Sequence, residues 1–212
     1  MLNLKLRQDL INTALEAKRL GYCRGNSGNL SVRADGGMLV TPSQIPFETL
    51  QPRDIVFVDF DGHVEGHHRP TSEWRIHRDV LESRPDVGAV VHAHPPFSTA
   101  LACHGRDIPA FHYMIAKAGG DSIRCAAYAL VASQELSYAA LQALDGRKAC
   151  LLAHHGMVAV GGDLKAALTM TVETEELAEQ YWRALQIGEV PILSDAQMRE
   201  VLEAFKIYSP SS

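Results

Sequence analysis

The stretch Leu30-Ser31-Val32-Arg33-Ala34-Asp35-Gly36-Gly37-Met38-Leu39-Val40-Thr41 decides the fold class. Two short β-rich runs, 30–33 and 38–41, flank Asp35-Gly36-Gly37, which has the composition of a tight reversal and predicts a hairpin. A second alternating run, 55–60, leads into Asp61-Gly62 and repeats the signal. Hairpins join antiparallel neighbours, so the sheet is not purely parallel. Around these hairpins, helices and strands interleave. Leu6, Leu10, Ile11, Ala14 and Leu15 share one face of an opening helix that Gly21 stops. Thr71 or Ser72 is expected to cap a helix ending before Pro85, and Asp163 and Asp195 to cap helices running to about 185 and 205. Further helices are expected over 96–103 and 133–144. The nearly continuous apolar runs 87–92 and 149–154 read as strands buried on both faces. No repeat or linker divides the chain. The expected architecture is a single α/β domain over residues 1–212, with a mostly antiparallel or mixed central β-sheet flanked by helices.

Composition narrows the function classes. The chain has 212 residues, 46% hydrophobic and 21% charged, which is ordinary for a globular protein. A formal net charge of -5 leaves no basic footprint for nucleic acid or an anionic membrane. No apolar run approaches the ~18 residues that span a bilayer, and the charged first twenty residues lack a signal-peptide core. The 4 cysteines, Cys23, Cys103, Cys125 and Cys150, form no CxxC pair, so a reduced, cytoplasmic protein is expected. The 10 histidines are unusual for this length, and their placement carries most of the information.

In Val91-His92-Ala93-His94-Pro95, residues i and i+2 of a strand point to the same side, so both imidazoles can meet one cation. The prolines that follow end the strand there. The second buried run delivers Ala153-His154-His155-Gly156 at its own end. One of these adjacent histidines is expected to join the pair: His155, with His154 turned toward the packing helices. Three neutral nitrogens suit a catalytic zinc with an open position. Glu73, in Pro70-Thr71-Ser72-Glu73-Trp74, sits at a helix start, where a carboxylate is either a dipole partner or a base working beside the metal. Three small polar loops, around 26–29, 41–43 and 71–72, are able to cradle a phosphate through N–H and hydroxyl donors. Neither GxGxxG nor GxxxxGK[ST] occurs, so a nucleotide has no support.

Gly25-Asn26-Ser27-Gly28-Asn29, Leu39-Val40-Thr41-Pro42-Ser43, Thr71-Ser72-Glu73, Val91-His92-Ala93-His94, Pro109-Ala110-Phe111-His112-Tyr113 and His154-His155-Gly156 occur in this order along the chain. In these motifs the sequence resembles the class II aldolase/adducin family, and within it the bacterial L-fuculose 1-phosphate aldolases, over essentially its whole length. The resemblance implies Zn2+ bound by His92, His94 and His155, with Glu73 near or on the metal until substrate displaces it. It implies a phosphate site made of Asn29, Ser43, Thr71 and Ser72. Tyr113 matches a tyrosine that acts as acid/base on the aldehyde oxygen across a subunit boundary, and Tyr208 a tyrosine near the same mouth. The family also implies a homotetramer with active sites at subunit interfaces. Two positions depart from the pattern: Gln44 stands where a glycine follows Ser43, and Val131 where an aromatic residue lines the aldehyde pocket.

The expected activity is metal-dependent, reversible cleavage of a ketose 1-phosphate to dihydroxyacetone phosphate and a small aldehyde, through a zinc-stabilised enediolate. The smaller Val131 wall favours 5-deoxy or 5-alkylthio pentulose 1-phosphates beside L-fuculose 1-phosphate. The same metal site also suits a dehydratase, an epimerase or a decarboxylase. A non-catalytic adducin-like scaffold is disfavoured, because all three histidines, Glu73 and Tyr113 are in place.

Overall fold

Gly36, at φ +73°, turns β1 (Asn29–Ala34) back onto β2 (Gly37–Val40), the reversal that Asp35-Gly36-Gly37 predicts. β3 (Val56–Asp59) pairs with β2, and the short β4 (Val64–Glu65) pairs with β3 after the Asp61-Gly62 turn. On the other side of β1 lie β5 (Ala89–Ala93), then β8 (Gly156–Gly161), β7 (Ala149–Leu152) and β6 (Arg124–Ala126). The computed structural model describes residues 3–25 and 27–208, and in it these strands form one 8-stranded sheet in the order β4-β3-β2-β1-β5-β8-β7-β6. Every pair is antiparallel except β6 with β7, so the sheet is mixed and mostly antiparallel.

Side chains alternate across this sheet and divide the core in two. Leu30, Val32, Val91, Leu151, Met157 and Ala159 pack under α1 (Leu4–Arg19), α3 (Pro96–Cys103), α5 (Leu164–Ile187) and α6 (Asp195–Tyr208). Met38, Val40, Val56, Val90, Leu152 and Val158 pack under α2 (Trp74–Ser83) and α4 (Gln134–Leu144). This parity positions the site. Asn29 and Ser31 alternate with Leu30 and Val32, and His92 shares the parity of Val90, so all three face the α2 side. No described helix is long and apolar enough to cross a membrane, and all four cysteines are free thiols.

Several elements differ from the sequence reading. The run 149–154 is a strand only to Leu152; Ala153, His154 and His155 form the turn of a hairpin, and β8 returns between β7 and β5. β4 is the short return strand of the hairpin expected at Asp61-Gly62, whereas β6 and β8 are not among the expected strands. Neither Thr71 nor Ser72 is the cap of α2. Glu73 holds that position without a side-chain cap bond, and the Trp74 N–H is given to the Thr71 carbonyl. The expected cap on α5 is present, Asp163 accepting from the Ala166 N–H. Asp195, by contrast, is the first residue of α6 rather than its cap, and Ser194 Oγ accepts from the Gln197 N–H. On α4, Ser133 accepts from the Leu136 N–H.

Candidate active site

Three loops meet on the α2 side of the sheet. β5 ends at Ala93 with His92 inward and His94 just past the strand, as the i, i+2 spacing requires. The β7–β8 turn brings His155 to them; His154, in the left-handed region at φ 58°, swings outward to an exposed position against the Tyr128 ring. His154 therefore does not face the packing helices, because the chain has already left the strand when it reaches that residue. The ring centroids of His92, His94 and His155 lie 4.8, 4.8 and 4.9 Å apart, an almost equilateral triangle. Gly156 permits it: a Cβ there would come within 2.6 Å of both the Ala93 carbonyl and the His94 ring.

Glu73 enters from the start of α2. Its Oε2 lies 3.2 Å from His92 Nε2 and accepts from Asn29 Nδ2 at 3.0 Å. Its Oε1 lies 3.3 Å from His155 Nε2, is buried, and has no hydrogen-bond partner. The donor chemistry fits a cation. The Met157 carbonyl can only accept, so His92 Nδ1, 2.9 Å away, carries the proton, and its Nε2 presents a lone pair. That lone pair faces His94 Nε2 at 2.9 Å and the Glu73 carboxylate. Lone pairs and an anion converging in a buried space need positive charge between them. A divalent ion meets that need at the triad, with Glu73 alongside.

Charge follows the same geometry. Burial opposes ionisation of Glu73, but His92, His155 and the Asn29 amide outweigh it and hold the carboxyl far below the usual carboxylate range. Burial also disfavours a charged His92, yet Glu73 and the Met157 carbonyl pull its pKa above the ordinary value, so the carboxylate draws positive charge, a proton or a metal ion, onto the same Nε2 lone pair. His94 is pushed down to about 4 by burial, with His92 and His155 adding to the shift. Burial and His92 lower His155 as well.

Beside the triad, the proposed phosphate loops are joined to each other. The Ser43 N–H is given to the Arg69 carbonyl and the Thr71 N–H to the Thr41 carbonyl, with Pro42 bridged to Pro70. Ser72 is exposed, Ser43 half-buried and Thr71 buried. Gln44 has φ 61°, the left-handed conformation that favours the glycine it replaces in the family pattern. Val131 is 55% exposed on the loop that follows β6, and Tyr113 is 51% exposed with its ring stacked on Phe205. Among the described residues, no hydrogen bond or ring contact joins Tyr113 to the triad. Tyr208 ends α6, and its side chain lies outside the described residues, as does Asn26 of the first polar loop.

The sequence is matched over residues 8–182 by the Class II Aldolase and Adducin N-terminal domain. The chain belongs to this family. Within the class II aldolase/adducin family it is similar to the 5-methylthioribulose-1-phosphate/5-deoxyribulose-1-phosphate aldolase of Rhodospirillum rubrum, at 58% identity over 98% of this chain and 94% of that one. It is 49% identical to the L-fuculose phosphate aldolase of Escherichia coli K12, over 96% of this chain and 95% of that one. A solved L-fuculose 1-phosphate aldolase superposes with a TM-score of 0.92 at 38% identity, covering 97% of this chain and 98% of the other. Class II aldolases are metal-dependent lyases, and the three-histidine site described above is able to hold a metal. Among the described residues the other group of this kind is Asp59, Asp61 and His63, which is mostly exposed and has no neutral-nitrogen triad.

Sequence reasoning missed two buried residues behind Glu73. His77 and Ser31 continue its hydrogen bonding inward, with Ser31 Oγ 2.8 Å from His77 Nδ1 and His77 Nε2 2.5 Å from Asn29 Oδ1. Burial, with His92 nearby, pushes His77 down to about 3, so it is neutral. The available signal was spacing: Glu73 and His77 are i, i+4 on a helix, and Asn29 and Ser31 are i, i+2 on a strand.

Proposed function

We propose that this protein is a zinc-dependent aldolase that reversibly cleaves a ketose 1-phosphate to dihydroxyacetone phosphate and a small aldehyde. Within that class we assign it a 5-deoxy or 5-alkylthio pentulose 1-phosphate, with L-fuculose 1-phosphate as a shared substrate. The observation that carries the reading is the convergence of three imidazole nitrogens and a buried carboxylate with one unpartnered oxygen. His92, His94 and His155 would hold the ion; when bound, it supplies Lewis-acid stabilisation of the negative charge that develops as the carbon–carbon bond breaks.

The chain's own residues do the rest. Glu73, held ionised, takes a proton from the reacting carbon of dihydroxyacetone phosphate in the condensation direction and returns it in cleavage. Asn29, Ser43, Thr71 and Ser72 bind the phosphate and keep that carbon in register with the carboxylate. An amide nitrogen has two hydrogens, so Asn29 has one left for the phosphate after bonding Glu73. Tyr113 moves the proton at the aldehyde oxygen, acting on the site of a neighbouring copy in a homotetramer, with Tyr208 at the same mouth. The exposure of Tyr128, Leu130 and Val131 beside the site, at 67%, 68% and 55%, supports a covering neighbour. The choice of pentulose rests on Val131, which leaves room for a longer apolar tail than an aromatic residue would.

A panel of ketose 1-phosphates, assayed for dihydroxyacetone phosphate release with product analysis, tests the reading. Release from 5-deoxyribulose 1-phosphate and 5-methylthioribulose 1-phosphate at least equal to that from L-fuculose 1-phosphate is expected. A product that keeps the full carbon skeleton, dehydrated or epimerised, would overturn it, as would loss of carbon dioxide.

A further inference from the structure

Behind Glu73, away from solvent, runs a file of polar side chains whose inner members, His77 and Ser31, take part in none of the chemical steps above. Glu73 and His77 are one helical turn apart on the side of α2 that meets the sheet, and Asn29 and Ser31 are two apart on β1 facing them. The two pairs interleave as Ser31, His77, Asn29, Glu73, with separations of 2.8, 2.5 and 3.0 Å. Ser31 and His77 are fully buried, and Asn29 and Glu73 are 6% exposed. Apolar residues surround them, with Ile76, Val80 and Val90 in the same cluster. Polar groups placed there must be satisfied in a definite direction.

The direction is fixed link by link. The Asn29 carbonyl oxygen can only accept, so His77 Nε2 donates to it. A neutral imidazole has one proton, so His77 Nδ1 is an acceptor, and the Ser31 hydroxyl donates to it. Asn29 has the same shape with its amide reversed. Reversed, its oxygen would oppose the Glu73 carboxylate and its NH2 would oppose the His77 N–H, two repulsive contacts in place of two hydrogen bonds. We propose that His77 is a positioning residue: its Nε2–H, oriented by Ser31, locks the Asn29 amide so that Nδ2 pins Oε2 of Glu73 and Oε1 is left as the atom that handles the proton. The assignment rests on Glu73 being the base, and it adds which oxygen acts and what holds it.

The test uses the metal-loaded protein and three variants, His77→Leu, His77→Gln and Ser31→Ala. Glutamine carries an N–H near the place of imidazole Nε2 and is the conservative rescue; Ser31→Ala is the milder change should the leucine variant fail to fold. Proton exchange into dihydroxyacetone phosphate, kcat and KM for cleavage, bound metal and melting temperature are measured for each. The tautomer of His77 is read by 15N NMR in wild type and Ser31→Ala. The expected results are an Nε2–H tautomer in wild type and a mixed one in Ser31→Ala. Exchange and kcat should drop about 10²-fold in His77→Leu, the scale of a misplaced catalytic group, and recover to within about tenfold of wild type in His77→Gln. Metal content should stay at the wild-type level in all three.

An Nδ1–H tautomer in wild type would overturn the lock. Equal exchange in wild type and His77→Leu would overturn its use in positioning. A rate loss that tracks metal loss, or that glutamine does not rescue, would make His77 a structural support and overturn the assignment. Absence of exchange in the wild type itself would instead remove Glu73 as the base and with it the use of the lock, while the tautomer would still report on the lock alone.

Discussion

Glu73 Oε2 lies 3.2 Å from His92 Nε2, and the proton of that imidazole is committed on its far side to the Met157 carbonyl. Two electron-rich atoms therefore face each other in a buried space, an arrangement a bound cation stabilises. Asn29, directly opposite His92 on the neighbouring strand, holds the same carboxylate oxygen from the other side.

Glu73→Gln keeps the size of the side chain and removes the base. Cleavage kcat and proton exchange into dihydroxyacetone phosphate should both fall by roughly 10²-fold or more, the usual span for a general acid/base. Unchanged exchange would return Glu73 to a helix-start carboxylate.

Val131 is 55% exposed, so it does not face the core, and a larger ring there does not overpack the interior. Val131→Phe should leave stability within about 0.5 kcal/mol of wild type, as for most surface changes. It should narrow the aldehyde side and move kcat/KM away from 5-alkylthio substrates, by about fourfold per displaced methylene at ~0.8 kcal/mol each. Paired kcat/KM ratios and melting temperatures decide this; an unchanged ratio would remove Val131 from the pocket wall.

Much of this arrangement was legible in the sequence. The hairpin around Gly36 follows from local turn chemistry, and the i, i+2 histidines follow from strand period, so both can be read without tertiary knowledge. The run from 149 to 160 is apolar on both sides of His154-His155-Gly156, and a strand ending in a site is hard to tell from a hairpin whose turn is the site. Only pairing, with His92 opposite Val158, distinguishes them. Thr71 and Ser72 looked like caps because their residue types favour that role, but the chain enters the helix one position later, which turns Glu73 inward. His77 gave no signal by itself, since its partners lie 46 and 48 residues away on β1.

His77 also sets a pH dependence. Its folded pKa, pushed down to about 3 by burial, lies below the free histidine value near 6.5, so between these limits the unfolded chain binds the extra proton. Stability contributed by the neutral ring is complete above about pH 6.5 and is lost as pH falls, at up to about 1.4 kcal/mol per unit. Denaturant melts at pH 7, 6 and 5 should show a steeper loss for wild type than for His77→Gln. Parallel slopes would mean that the ring titrates normally in the folded state.

Gly156→Ala tests the close approach at the triad. A methyl group there must displace the Ala93 carbonyl or the His94 ring, each within 2.6 Å. Metal affinity in chelator competition should weaken by about 10- to 100-fold, the scale seen when ligand orientation is disturbed, while the sheet remains folded. Unaltered affinity would show that the ring relaxes freely.

The most direct measurement is cleavage activity against bound metal on one sample. Purified protein should contain about one zinc ion per chain. Chelation should abolish release of dihydroxyacetone phosphate from 5-deoxyribulose 1-phosphate, and re-addition of zinc should restore activity in proportion to metal bound, saturating near one per chain. Full activity in a preparation that elemental analysis finds metal-free would contradict the account.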